Sequence, residues 1–159
     1  MRPYLTDPAA IYAESFATVR REARLDRFQP DMVPLVIRLI HSCGMIEIAD
    51  RLAFSEGAAR AGARALRDGT PVLCDCEMVR SGIIGRTLPE GVDVIATLND
   101  PRVPDIATRL GTTRSAAAVE LWRDRIEGSI VAIGNAPTAL FHLLERLDEG
   151  WPRPALILG

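Results

Sequence analysis

Four short runs in the second half of the chain, residues 72–76, 92–98, 130–133 and 155–158, are apolar at most positions, and segments of helical character lie between them. Runs this short and this apolar read as strands buried on both faces rather than as half-exposed strands or helices. A strand, a crossover helix and another strand, repeated, returns each strand in the direction of the one before and builds a parallel sheet. The chain is therefore expected to be α/β: a single domain of three layers, with a mostly parallel central sheet covered by helices on both faces. Its 159 residues suit one such domain, with no internal repeat, low-complexity tract or long linker to divide them.

The crossover helices are expected over 101–110, with an interruption near Pro104, then over 113–126 and 137–147. Ahead of the sheet, Asp7-Pro8 is a cap followed by a proline in the first turn, and Ile11, Phe16, Val19 and Ala23 give residues 7–24 a loose amphipathic period. Asp31 is expected to cap a second helix that runs to about His41, with Pro34 in its first turn and Gly44 as its stop. That helix carries Met32, Val33, Leu35, Val36, Ile37, Leu39 and Ile40 against one charge, Arg38, so most of its circumference is expected to be covered by protein. A third, alanine-rich helix is expected from Ser55-Glu56 to Asp68-Gly69, and the pairs Ser81-Gly82 and Ile84-Gly85 read as a local turn region.

Composition removes several function classes. Nineteen basic and 21 acidic side chains leave a net charge of -2 with no basic block, which disfavours nucleic acid as a partner. No apolar stretch approaches the roughly 20 residues of a membrane span. Arg2 and Pro3 are followed by Asp7 and Glu14, unlike a signal peptide, so a cytoplasmic protein is expected. The three cysteines, Cys43, Cys74 and Cys76, are an odd number and read as reduced thiols. Cys74 and Cys76 would share one strand face and do not enclose a tetrahedral metal, so no metal site is expected.

Ligands of open parallel sheets bind beyond the carboxyl ends of the strands, which directs attention to the loops after Cys76, Leu98 and Ile133. The run from Ile130 to Leu140 reads as strand, tight turn and helix start. Its free N–H groups suit a phosphate or carboxylate, with Asn135 and Thr138 adding side-chain hydrogen bonds; simple capping is the alternative. Thr112-Thr-Arg-Ser115 sets hydroxyls around one guanidinium, and Arg114 suits a carboxylate, or else lies on the surface beside a threonine cap. His41 and His142 are the only imidazoles. His142 belongs to an amphipathic helix and can be solvated there. His41 ends the most apolar helix, where the helix dipole favours an imidazolium, so a proton donor fits there as well as a core histidine bonded to carbonyls. Asp75, Glu77 and Asp100 each suit helix capping at least as well as acid-base work.

Taken together, Ile40-His-Ser-Cys-Gly-Met45, Phe54-Ser-Glu-Gly-Ala58, Pro71-Val-Leu-Cys-Asp75 with Met78-Val79, Asn99-Asp-Pro-Arg-Val-Pro104, Thr113-Arg-Ser-Ala-Ala-Ala118 and Ala132-Ile-Gly-Asn-Ala-Pro-Thr-Ala-Leu140 resemble the precorrin-8X methylmutase family, in order, from about Tyr4 to Gly159. The resemblance implies an α/β isomerase of cobalamin biosynthesis, a homodimer in that family's manner, that moves a methyl group from C-11 to C-12 of a corrin precursor to give hydrogenobyrinate. It implies no cofactor. It makes His41 the proton donor to the bound macrocycle in a [1,5]-sigmatropic shift, and Arg114, Ser115, Asn135, Thr138 and Ser15 contacts for the substrate's carboxylate arms. It also implies a further C-terminal segment beyond Gly159, which this sequence lacks. A non-catalytic corrinoid-binding protein, or a methylmutase acting on cobalt-precorrin-8, fits the same residues. A nucleotide-binding domain fits less well, because neither the glycine fingerprint nor a P-loop lysine is present.

Overall fold

The structure is a computed structural model that describes residues 4–159; Arg2 and Pro3, used above against a signal peptide, lie outside the described residues. The chain forms two compact units, one ending at Arg60 and one running from Ala61 to Gly159.

The first unit is helical: α1 (Pro8–Glu22), α2 (Val33–Cys43), α3 (Ile48–Arg51) and the start of α4 (Ala58–Arg67). Asp7 caps α1 as its sequence suggests, its carboxylate accepting from the Ala10 amide at 2.8 Å. Val19, Phe28, Met32, Val36, Ile37, Ile40 and Ala49 form the core of this unit. Two expectations for α2 are corrected. Asp31 does not cap it, because its carboxylate is turned to the Arg60 guanidinium at 2.9 Å, and Met32 holds the cap position without a side-chain bond. The helix is also covered on one face only: Val36, Ile37 and Ile40 are buried, whereas Leu35 and Leu39 are exposed. Gly44 ends it at φ 71°, the left-handed conformation that glycine adopts without strain.

The second unit is the expected three-layer arrangement. Four parallel strands, β1 (Val72–Cys74), β2 (Val94–Ala96), β3 (Ile130–Ala132) and β4 (Leu156–Leu158), pair in the order β2-β1-β3-β4. In register, Leu73 lies level with Ile95 and Val131, and Val131 with Ile157. That row packs against Val119, Trp122, Ala139 and Leu143 of the helical layer on one face. The alternate row, Val72, Cys74, Ile130, Val94 and Leu156, packs against Ala65, Leu66, Val79 and Ile83 on the other. The strands are shorter than their apolar runs; β1 stops at Cys74 because Cys76 already precedes α5 (Glu77–Gly82), whose last two residues, Ser81-Gly82, belong to the expected turn region. The remaining helices are α6 (Val103–Leu110), α7 (Arg114–Val119) and α8 (Pro137–Asp148). Pro104 does not interrupt α6; it lies in the first turn, where no N–H is needed. Helix α7 ends early in a 3-10 turn, Glu120–Trp122.

Candidate active site

The sheet order places β1 and β3 side by side at its centre, with β2 and β4 outside them. Helix α5 follows β1 on one face and α8 follows β3 on the other, so the carboxyl ends of these two strands form the switch point at which such sheets take ligands. In this chain the switch point is spanned by Asp75. The residue is 2% exposed, and its carboxylate accepts the amides of Gly134, Asn135 and Ala136 at 3.2, 3.0 and 2.8 Å. The N–H groups read above as a site for a ligand's anion are thus satisfied by the protein's own carboxylate, reached from 59 to 61 residues away in sequence. Gly134 is required for a steric reason, since a Cβ there would lie 2.8 Å from Val79 Cγ2. The turn borders a hollow of about 330 Å³ lined by residues 133–137, Leu140 and Gly159.

The remaining polar groups of this edge are tied to one another. Thr113 caps α7 by accepting the Ala116 amide at 3.2 Å and donates to Thr138 Oγ1 at 3.0 Å, joining the starts of α7 and α8. The Arg114 guanidinium donates to the Leu98 carbonyl at 3.2 Å, beyond the end of β2. Arg114, Asn135 and Thr138 are exposed and Ser115 is half-buried, so four of the residues singled out from the sequence gather along one rim of the sheet. Asp100 is not among the available acids: Arg102, through side-chain and backbone hydrogen bonds, holds its carboxyl down at about 2. Glu77 is paired with Arg80 at 2.9 Å. The Cys74 thiol is buried, and burial, with the neighbouring Asp75 charge adding, pushes it up to about 11, which leaves it inert at neutral pH.

The first unit holds the other expected group. Tyr12, Ser15 and Phe16 share one face of α1 by their spacing, and His41 in the last turn of α2 meets all three. Ser15 Oγ lies 2.7 Å from His41 Nδ1. The imidazole is tilted against the Tyr12 ring at 4.8 Å between centroids and meets Phe16 edge-on at 5.3 Å. Arg38 lies over the Phe16 ring at 5.6 Å. His41 is half-buried, and among the described residues no hydrogen bond reaches its Nε2. The core-histidine reading, which required bonds to carbonyls, is not what this geometry displays. His142 is the opposite case and corrects its reading as solvated: it is 9% exposed, with Nε2 2.6 Å from Glu120 Oε1, an oxygen that Arg146 also contacts.

Sequence reasoning missed Tyr12 and Phe16 as partners of His41, and it offered Thr113 as a cap of α7, which it is, without its bond to Thr138. The first two carried a legible signal, the spacing of three and four residues that puts them beside Ser15 on one helix face. The contact between Thr113 and Thr138 spans 25 residues and has no local signature.

Comparison with known proteins supplies what geometry does not. The family described as precorrin-8X methylmutase matches residues 10–159. The chain belongs to this family. A precorrin-8X methylmutase of Pseudomonas aeruginosa is 54% identical over 159 residues, all of this chain and 76% of that protein. One of a Sinorhizobium species is 51% identical over 98% of this chain and 74% of its own length, and a cobalt-precorrin-8 methylmutase of Priestia megaterium is 32% identical over 99% and 71%. The crystal structure of the Thermus thermophilus precorrin-8X methylmutase superposes with a TM-score of 0.82 at 37% identity, covering 94% of this chain and 72% of that one. The chain is accordingly a methyl-shifting isomerase of cobalamin biosynthesis, with a corrin precursor as its substrate.

Proposed function

We propose that the chain converts precorrin-8X to hydrogenobyrinate by moving a methyl group from C-11 to C-12, with His41 as the proton donor. The observation that carries this reading is the pairing of Ser15 with His41 Nδ1 at 2.7 Å, with no hydrogen bond to Nε2 among the described residues. A serine hydroxyl both donates and accepts, so this one contact holds the ring whether Nδ1 carries a proton or not. The flanking Tyr12 and Phe16 rings restrict its rotation. Protonation of the macrocycle by Nε2 draws electron density from the ring and weakens the C-11–methyl bond as the C-12–methyl bond forms. Substrate and product are isomers, so the proton is returned within each turnover and the imidazole is reset without a co-reactant. The reaction demands a positioned acid and a rigidly held ring, not a nucleophile, and the inert Cys74 is compatible with that.

The substrate's acetate and propionate arms need donors, and Arg114, Ser115, Asn135 and Thr138 are proposed to receive them, with Ser15 serving His41. A guanidinium and hydroxyls in an open rim suit carboxylates, and a few converging donors suffice despite the chain's net negative charge. The metal-free substrate is proposed over its cobalt counterpart because the precorrin-8X methylmutases are 54% and 51% identical and the Priestia megaterium cobalt-precorrin-8 methylmutase 32%. A homodimer, supported by the exposed Leu35 and Leu39 of α2, and a cytoplasmic setting, supported by three free thiols, complete the reading. The test is incubation of the purified chain with precorrin-8X and with cobalt-precorrin-8, following visible absorption and chromatography. Formation of hydrogenobyrinate from the metal-free substrate is expected; binding of product with no conversion of either substrate would refute it.

A further inference from the structure

We propose that Asp75 is a positioning residue for substrate binding. By occupying the amides at the start of α8 from inside the protein, it hands carboxylate recognition to the outward side chains of Asn135, Thr138 and Arg114. The inference rests on the reading of that rim as the place where substrate carboxylates are received.

An α8 start without Asp75 would present three amides and the positive end of a twelve-residue helix, a ready anion site. Asp75 takes all three and is itself 2% exposed, so a ligand oxygen would have to compete with a buried carboxylate for them. Among the described residues no arginine forms an ion pair with it. Its charge is met by the amides and the helix dipole, and it repels a second carboxylate from the same N–H groups. The turn it holds is also pressed inward, since Gly134 has no room for a Cβ beside Val79. The hydrogen bond from Thr113 to Thr138 and that from Arg114 to the Leu98 carbonyl then fix the next two loops. The side chains of the rim are therefore set before a substrate arrives, and binding need not order them.

The test is Asp75→Asn in steady-state turnover of precorrin-8X. An asparagine turns an N–H₂ toward amide donors, so at least one amide loses its acceptor and the turn shifts. KM is expected to rise about tenfold with kcat changed less than about twofold, because the proton donor belongs to another cluster. Arg114→Ala, measured alongside, separates the two claims. An unchanged KM for Arg114→Ala sinks the reading of the rim and the proposal with it. A raised KM for Arg114→Ala beside an unchanged KM for Asp75→Asn, or a fall in kcat alone, overturns the role of Asp75 and leaves the rim standing. Should Asp75→Asn fail to fold, amide hydrogen exchange on the unaltered protein decides: the amides of residues 134–136 are expected to be protected without ligand and unchanged by hydrogenobyrinate. New protection there on adding the corrin would overturn the proposal.

Discussion

His41 and His142 share a chemistry and differ in what meets their rings. His142 has Nε2 against Glu120, an acid also held by Arg146, and is enclosed by protein. His41 has one hydroxyl on Nδ1 and, among the described residues, no hydrogen bond to Nε2, and it is less enclosed than His142, so it is the imidazole with a nitrogen to offer a substrate. That distinction was half legible in the sequence: the end of an apolar helix marked His41, but nothing local showed that Glu120, 22 residues earlier, would claim His142. Ser15→Ala is expected to lower kcat by roughly 10-fold to 100-fold with little change in KM, because a loosened imidazole loses proton-transfer geometry rather than affinity. A purified variant with kcat equal to the parent's would remove Ser15 from that role. Arg114→Ala is expected to weaken hydrogenobyrinate binding by about tenfold in an equilibrium titration, the usual worth of one charge-assisted contact; equal affinity would place Arg114 outside the site.

Among the elements, those with a strong period or a clear cap were legible, and those fixed by tertiary context were not. Asp7-Pro8 starts α1 and Gly44 stops α2 because caps act within a few residues. Helices α3 and α5, four and six residues long, are too short to display a period, and Asp31 was drawn away from its cap by Arg60. The turn before α8 reads from sequence as an anion site or as simple capping, and its amides are capped by Asp75, which comes from the end of β1 and so leaves no local signature. Gly134→Ala tests how tightly that turn is packed. Its added methyl would meet Val79 Cγ2 at 2.8 Å, so α5 or the turn must move. A loss of about 1–3 kcal/mol in denaturant unfolding is expected, accompanied by a raised KM. Unfolding that matches the parent's would show that the β3–α8 turn yields at no cost.

At the scale of the whole molecule, alternating apolar runs and helices were enough to give a parallel sheet with both faces covered, since a helix between successive strands returns each one in the same direction and covers the sheet. The order β2-β1-β3-β4 was not legible, because right-handed crossovers are compatible with several orders. Acid should weaken the fold through Glu120. Burial raises its carboxyl, but hydrogen bonds from His142 and Arg146 outweigh that and hold it below the usual glutamate range. A carboxyl lowered by folding stabilises the protein above its unfolded value, near ~4.3, and that contribution is lost as pH falls through the lower folded value. Melting temperature is therefore expected to fall more steeply below about pH 4 for the parent than for Glu120→Gln; parallel curves would deny Glu120 that part. The central claim concerns one proton and one ring nitrogen, and it is tested most directly by His41→Ala, with hydrogenobyrinate formation from precorrin-8X and hydrogenobyrinate affinity measured on the same preparation. The account expects turnover to disappear while affinity stays within a few-fold of the parent's. Turnover at the parent's rate without the imidazole would contradict it.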